Sequence, residues 1–591
     1  MADTMDTIDT PSGEHLLIEG TEEGTDDASS TGTPSYTYVV SNNDKKLVKV
    51  VFLLLGVGFL LPWNAFISAS AYFVNRTCVE AISTDASVND SSDNENNFML
   101  WFGLSYNFSG VITLGLMLLV QRLKDTKATS TNTPTETNDT DEEQSGGNTQ
   151  WRMIVISLSF CLLIMILTTS MVLIPSTDPT LFQFLSLSSA SVCGMSGAFT
   201  SAGITSFANT FPPDLGIQPF ISGQAVGGVV ISLLNFILFG TESTGADIFW
   251  KEKCSASAGE SFAEKDGVSP MRSDWSGVSQ SHMCESYQID WGAFAYFMAG
   301  VFCIVLCIVL FIYLDQSEIA EHYRMLGIAA SESRTADIVI QDRIEEHIDM
   351  DLQVEMAEHE LTEPLLNTEE TVEDMNMQSN VSVANHRDDE VLSNGSLLNE
   401  TQAQLVWSSI RTPVATIFTT FLVTLTIFPS WTSKLKSVHQ CQDRSMRLSN
   451  DLFVPGFIVL FNVFDFAGRT ACGFVNIDFF SKGSPERLTL LSFARIAFLP
   501  LFLLCNVTGS KLVPPIKIFY SDWFPFLFAM IFAFGNGFVS TLAFIQAAVA
   551  SPQGEEAQQI ASIFLNFSVG LGCLSGSLFS FLYNYIGTRE L

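Results

Sequence analysis

The stretch "FNVFDFAGR", Phe461 to Arg469, carries Asp465 and Arg469 one helical turn apart inside an apolar run that begins near Leu452 and continues to about Val475. The medium around that run decides what the two charges are for. The chain has 591 residues, 47% of them hydrophobic, with 48 phenylalanines and a mean hydropathy of +0.29. Its apolar residues come in blocks rather than periodic stripes, and blocks of ~20 residues are what a helix needs to cross the hydrocarbon core of a bilayer.

Such blocks fall at about 47–74, 98–121, 152–174, 181–209, 215–240, 291–314, 411–431, 453–475, 488–507, 522–550 and 558–586. They predict an all-α polytopic membrane protein with eleven transmembrane helices. Residues 1–46 are polar and acidic, which argues against a cleaved secretory signal. The formal net charge of -35 is concentrated rather than general. More than half of the 63 acids lie in 1–46, 125–150 and 315–410, segments rich in Ser, Thr, Asn and Glu, the composition of disorder. The expected organisation is a disordered acidic tail at 1–46, a first bundle at 47–314, a disordered acidic loop at 315–410 and a second bundle at 411–591. "LTEPLL", Leu361 to Leu366, resembles an acidic dileucine sorting signal but lacks the acid at the usual spacing.

Cysteines and sequons orient the chain. Cys161, Cys193, Cys303, Cys307, Cys472, Cys505 and Cys573 lie within spans. With a cytoplasmic amino terminus, the other four, Cys78, Cys254, Cys284 and Cys441, all fall in loops on the outer side, where oxidation permits two disulfides among three possible pairings. The sequons at Asn75 and Asn89 lie in the first outer loop and are glycosylation candidates. Lys45, Lys46 and Lys49, which flank the start of the first span, outweigh Arg76 after its end, which favours the same orientation. These features imply passage through the secretory route, with the plasma membrane as the expected destination and an extracellular carboxyl terminus.

An ionisable group inside the bilayer costs at least ~2.5–3.5 kcal/mol on insertion scales, so each one needs a reason. Near the middle of spans stand Asp465, Arg469 and Arg495. Asp465 and Arg469 share one helix face at i and i+4, and Asn462 extends that face, which is too polar for lipid and must look into the bundle or a cavity. Two readings stay open and are compatible: an ion pair that holds helices together, or a hydrogen-bonding station for a polar solute. All seven histidines lie outside the spans, which removes most metal and histidine-relay mechanisms and a buried serine hydrolase. No Walker-type loop or nucleotide-binding domain is visible, and no cofactor is expected. The chain does not read as an enzyme.

"LLPWNAF" sets Pro62, Trp63 and Asn64 within span one. Proline frees a backbone carbonyl there, and Trp63 is too deep for the interfacial aromatic belt, so it serves either core packing or as a wall for a flat ring. In span five, Gly223, Gln224, Gly227 and Gly228 suit close helix contact, with Gln224 also able to hydrogen-bond a solute. Asn536, between two glycines in span ten, is a packing device or a pore-lining amide.

Taken in order, these landmarks resemble the equilibrative nucleoside transporter family. The match is carried by Pro62-Trp63-Asn64, Ser222-Gly223-Gln224, Phe428-Pro429, Phe461 to Asp465 with Gly468-Arg469, "ARIAFLPLFLLCN" around Arg495, Asn536-Gly537 and "VGLGCLSGSLFSF", over about 47–586. The resemblance implies a major-facilitator-like architecture of six plus five helices in two bundles, with the solute between them near the midplane. By position it implies Trp63 against base or ribose, Asp465 and Arg469 on the ribose hydroxyls, Asn462 and Phe428 lining the cavity and Asn64 beside Trp63. Pro62, Gly223, Gln224, Gly227, Gly228, Arg495 and Asn536 are left to helix packing and gating. Many members carry a base-contacting glutamine on helix four, where this chain has Met195, which leaves the base preference open. A neighbouring guanidinium should keep Asp465 ionised, so facilitative transport of nucleosides or nucleobases is expected over proton-coupled uptake. A carrier of another small solute such as an organic cation, and a scaffold built on the acidic loop, are the rivals. The expected partners are the solute and the lipid bilayer, without nucleic acid; the oligomeric state is open, with a monomer as the default.

Overall fold

Inside hydrocarbon every backbone N–H and C=O must find its partner within the protein, and an apolar segment does this most simply as a helix. The computed structural model describes residues 40–69, 72–73, 76, 91–130, 140–174, 178–241, 249–250, 254, 289–329, 402–474, 486–505, 519, 521–552 and 554–588. Asn75, Asn89, Cys78, Cys284 and the Leu361–Leu366 motif lie outside them. The helices are α1 (Asn42–Ser68), α2 (Ser91–Ser130), α3 (Thr140–Leu173), α4 (Pro179–Asn209), α5 (Ile217–Thr241) and α6 (Trp291–Asp315). They continue as α7 (Gln402–Ile427), α8 (Phe453–Ala471), α9 (Glu486–Ala494), α10 (Phe498–Leu503), α11 (Trp523–Ala550) and α12 (Glu555–Thr588).

Among the described residues, nine helices are long and apolar enough to cross a membrane. The other two expected spans have helical counterparts that fall short for identifiable reasons. One is α4, where many serines and threonines lower the hydropathy of a 31-residue helix. These hydroxyls bond neighbouring helices: Ser157 and Thr200 are 2.7 Å apart, and Gln150 donates to Ser206 over 2.9 Å. The other is span nine, broken into α9 and α10 by a 3-10 turn at Arg495–Ala497. Pro500 removes the N–H that would bond the Ile496 carbonyl, so the α-helical ladder lapses at that turn. Pro62, in contrast, does not end α1. The carbonyl it leaves unbonded belongs to Gly58, whose missing side chain lets Cys307 of α6 approach. The acidic loop expected to be disordered from 315 begins with a helix at 318–329.

Caps mark where spans begin. Asp178 accepts from the Thr180 N–H ahead of Pro179, and Asp290 accepts from the Ala293 N–H at 2.9 Å, each satisfying a donor that the first helical turn leaves free.

The helices sort by contact into two groups. In the first, α1 packs on α5 and α6, α2 on α4, and α3 on α4 and α6; in the second, α7 packs on α12, α11 and α9, and α8 on α11. Two seams join the groups, α5 against α8 and α12 against α2 and α4. The second seam has an apolar centre of Leu114, Ala198, Ala202 and Ile563 and a polar clasp around Asn566. Asn566 accepts from Ser201 and donates to Thr205 at 3.2 Å.

The segment after α7, expected to be a polar outer loop, is firmly built. Asp522, before α11, accepts from Ser437 Oγ at 2.6 Å and from the Val438 N–H at 2.8 Å. Asn450 accepts from the Cys441 N–H at 2.8 Å and donates to the Asp443 and Met446 carbonyls. Those bonds hold Cys441 at a φ of 63°, a left-handed conformation that costs a non-glycine residue of order 1–3 kcal/mol. Cys441 is disulfide-bonded to Cys254, with Cα atoms 5.3 Å apart. Arg447 reaches the end of α5 as well, donating to the Gly240 carbonyl at 2.6 Å and the Phe239 carbonyl at 2.5 Å while paired with Asp451. The seven cysteines placed within spans are all free.

Candidate functional site

The carboxyl-terminal half of α8 is held against α11 by two glycines. A Cβ on Gly468 would collide with the Phe534 carbonyl, and one on Gly537 with the Asp465 carbonyl, so neither helix could approach so closely with a side chain there. This contact brings the polar residues of α8 within reach of Asn536. Arg469 Nε donates to Asp465 Oδ2 at 2.9 Å, and Asn536 Nδ2 donates to Asp465 Oδ1 at 2.6 Å. Arg469 Nη1 crosses to the first group of helices and donates to the Ile221 carbonyl of α5 at 3.0 Å. Asp465 is 6% exposed and Arg469 7%, so both charges sit inside the protein and not toward lipid.

The sequence placed the pair near the middle of a span. Arg469 instead lies in the last turn of α8, where the carbonyl end of the helix dipole favours a cation. Asn536 is the hub that sequence left undecided. Its Oδ1 accepts from Thr424 Oγ1 of α7 at 2.7 Å, and Thr424 Oγ1 accepts from Arg495 Nη2 at 2.8 Å. Arg495 also donates to the carbonyls of Thr420 (2.9 Å) and Phe532 (3.2 Å), with its guanidinium carbon 4.5 Å from the centre of the Phe532 ring. One hydrogen-bonded chain therefore runs from α5 through Arg469, Asp465, Asn536 and Thr424 to Arg495. Thr424 was not singled out by sequence. The signal was present in "TIFTTFLVTLTIF": Thr416, Thr420 and Thr424 recur every fourth residue, and all three are buried.

The remaining expected residues gather at two other places. Gly228 of α5 admits one amide that a side chain there would displace, and a second amide lies beside Gly227. The Asn64 Nδ2 lies 3.9 Å from where a Gly227 Cβ would be and is buried without a hydrogen-bond partner among the described residues. Asn462 Oδ1 lies 2.7 Å from the corresponding position on Gly228, while its Nδ2 donates to the Ile458 carbonyl. Gly223 seats the α1 backbone at Leu53, and Gln224 is half-buried beside it. Trp63 is half-buried and lies on Tyr106 of α2, with ring centres 4.3 Å apart. Phe428 stacks on Phe461 at 3.9 Å and 7°. Met195 of α4, where the resemblance expects an amide, is 40% exposed.

Comparison with known proteins finds similar transporters. Equilibrative nucleoside transporter 1 of Mus musculus is 24% identical over 549 residues, covering 90% of this chain and 96% of its own. The Homo sapiens protein of the same name is 25% identical over 558 residues, covering 92% and 97%. A solved structure of a bacterial homologue of the human drug peptide transporters PepT1 and PepT2 aligns at 11% identity and a TM-score of 0.38, covering 92% of this chain and 98% of that one. Residues 279–585, more than half of the chain, match the model of the family described as "Nucleoside transporter". That match, which takes in Asp465, Arg469 and Asn536, places this protein in the nucleoside transporter family.

Proposed function

We propose that the chain moves nucleosides across a membrane by facilitative alternating access, the two groups of helices rocking about a site between them. The observation that carries the reading is the bond from Arg469 to the Ile221 carbonyl, which sets the polar face of α8 on the seam with α5. In the resting arrangement Asp465 and Arg469 satisfy each other and bridge the seam. A ribose offers hydroxyls that both donate and accept, so it can exchange with these bonds without leaving a buried charge unpaired. Trp63 with Tyr106 supplies a flat apolar face for a base, and Asn64, Asn462 and Gln224 supply amides around it. An organic cation finds less here, because both oxygens of Asp465 already hold donors. Residence in the plasma membrane, a cytoplasmic amino terminus and glycosylation of the first outer loop belong to the same proposal.

The test is uptake of labelled adenosine and uridine into cells deficient in nucleoside transport, at matched surface expression. Saturable wild-type uptake, depressed at least tenfold by Asp465→Ala and with a raised KM in Trp63→Ala, is expected; tenfold corresponds to ~1.4 kcal/mol, within the worth of a charge-assisted hydrogen bond. Wild-type protein at the surface that carries neither nucleoside defeats the proposal.

A further inference from the structure

The two seams between the groups of helices are built differently. α5 meets α8 from one end to the other. At one end Arg447, in the loop ahead of α8, donates from Nη1 to the Gly240 carbonyl at 2.6 Å and from Nη2 to the Phe239 carbonyl at 2.5 Å. Those carbonyls lie in the last turn of α5, where helical N–H partners run out and the helix dipole draws a cation. Asp451, paired with Arg447 at 2.7 Å, stands just ahead of α8, at the helix end that draws an anion. The Cys254–Cys441 bond ties the loops after α5 and α7 at this same end. Further along, Gly456 faces the Phe236 ring and Gly228 makes room for the Asn462 amide. At the far end Arg469 bonds the Ile221 carbonyl, and Gln218 lies against Gly473.

α12 meets α2 over the half away from the disulfide. Gln121 donates to Glu556 at 2.8 Å, Phe567 faces Gly115, and a Cβ on Gly570 would stand 3.0 Å from Val111. Toward the disulfide end the two helices turn to their own groups. Gly572 and Gly576 of α12 seat on the α7 backbone at Phe418 and Leu422, and Tyr583 donates to the Leu499 carbonyl at 2.6 Å. On α2, Tyr106 lies on Trp63 and Phe102 on Phe66, both of α1.

We infer that the disulfide end of the seam between α5 and α8 is a fixed pivot clamped by Arg447, and that the passage toward that side of the membrane opens only between α2 and α12. The pivot deepens the alternating-access reading and rests on it for its part in transport. A guanidinium whose fork bonds two carbonyls and a carboxylate at once resists both sliding and separation. Parting α2 from α12 at this end, by contrast, breaks none of the bonds that hold either helix to its own group. At its far end the seam between α5 and α8 is held through the Arg469 bond to Ile221, with which a solute hydroxyl can exchange. The seam therefore yields at Arg469 and not at Arg447.

The experiment measures spin-label distances by double electron-electron resonance on the purified full chain in lipid nanodiscs, in a background that keeps Cys254 and Cys441 and replaces the other cysteines. Leu238→Cys with Met446→Cys reports the pivot, and Trp101→Cys with Leu582→Cys reports the gap; all four side chains are exposed. With and without adenosine, the pivot pair should give one narrow distribution, and the gap pair one that is about twofold broader or split in two. Replacing Cys254 and Cys441 by serine together with Arg447→Gln should broaden the pivot pair about twofold, and either change alone should broaden it less, because one clamp remains. Should glutamine impair folding, Arg447→Lys loses the fork and makes a milder release. A pivot pair as broad as the gap pair while both clamps are present, or one that stays narrow once both are gone, overturns the inference. So does a gap pair as narrow as the pivot pair. The expected contrast in a protein that carries no nucleoside upholds the pivot and removes the transport reading instead.

Discussion

Gly468 of α8 and Gly537 of α11 face each other so that each helix backbone occupies the space the other's side chain would need. A Cβ on Gly537 would also stand 3.0 Å from the Arg469 N–H. Gly537→Ala must therefore push α11 away from the two charged residues. Overpacking of this kind costs ~1–3 kcal/mol, and here it also lengthens the 2.6 Å bond from Asn536 to Asp465. The expected result is a lower thermal midpoint in detergent together with uptake reduced beyond the loss in surface protein. Retention of wild-type uptake per molecule at the surface would show that the two helices have slack.

The ion pair predicts a reversal between stability and activity. Asp465→Asn leaves Arg469 buried with a weaker partner, and Arg469→Met leaves Asp465 with Asn536 alone; breaking one side of a buried pair costs ~3–5 kcal/mol. The double variant removes both charges and should be more stable than either single one. Uptake should nevertheless be lost in all three. Thermal denaturation and surface-matched uptake measured on the same four proteins separate holding helices together from handling the solute.

How much of this was legible depended on the scale of the pattern. Spans rest on blocks of apolar residues, so α6 at Trp291–Asp315 and α11 at Trp523–Ala550 fall within a residue or two of expectation. Span nine was legible as apolar but not as broken, because the break needs Arg495 and Pro500 to act together across a turn. Asp465 and Arg469 stood out because charge in a bilayer is costly. Thr424 did not, since a threonine within a helix usually bonds its own backbone, and only the folded structure brings Asn536 Oδ1 to its hydroxyl as a second acceptor. The Cys254–Cys441 pairing was one of three that counting left open, and only the folded loop after α7 selects it.

At the other seam, Asn566→Leu removes the bonds from α12 to Ser201 and Thr205 on α4. Interhelical hydrogen bonds in membranes average ~0.6 kcal/mol, so losing them should shift the open population of this seam by roughly threefold to tenfold. Ala202, fully buried at its centre, gives the readout. In a background without reactive cysteines, a thiol reagent should modify Ala202→Cys faster by that factor when Asn566 is leucine. An unchanged rate would mean the apolar contacts alone hold the seam.

Asn450 anchors the loop after α7 through three bonds around a left-handed Cys441. Asn450→Ala should release that backbone, at a cost of about 1–3 kcal/mol for the unsatisfied groups. The check is the protease sensitivity of 432–451 in intact cells, expected to rise while the helices stay protected.

The bond between Cys254 and Cys441 spans 187 positions of sequence, and the acidic segment 315–410 lies between its ends. That segment is therefore not the sole covalent connection between the two groups of helices. A single protease cut within 315–410 yields two polypeptides that still migrate as one species on a non-reducing gel and separate only after reduction. The central linker can be severed, and the transporter remains one molecule.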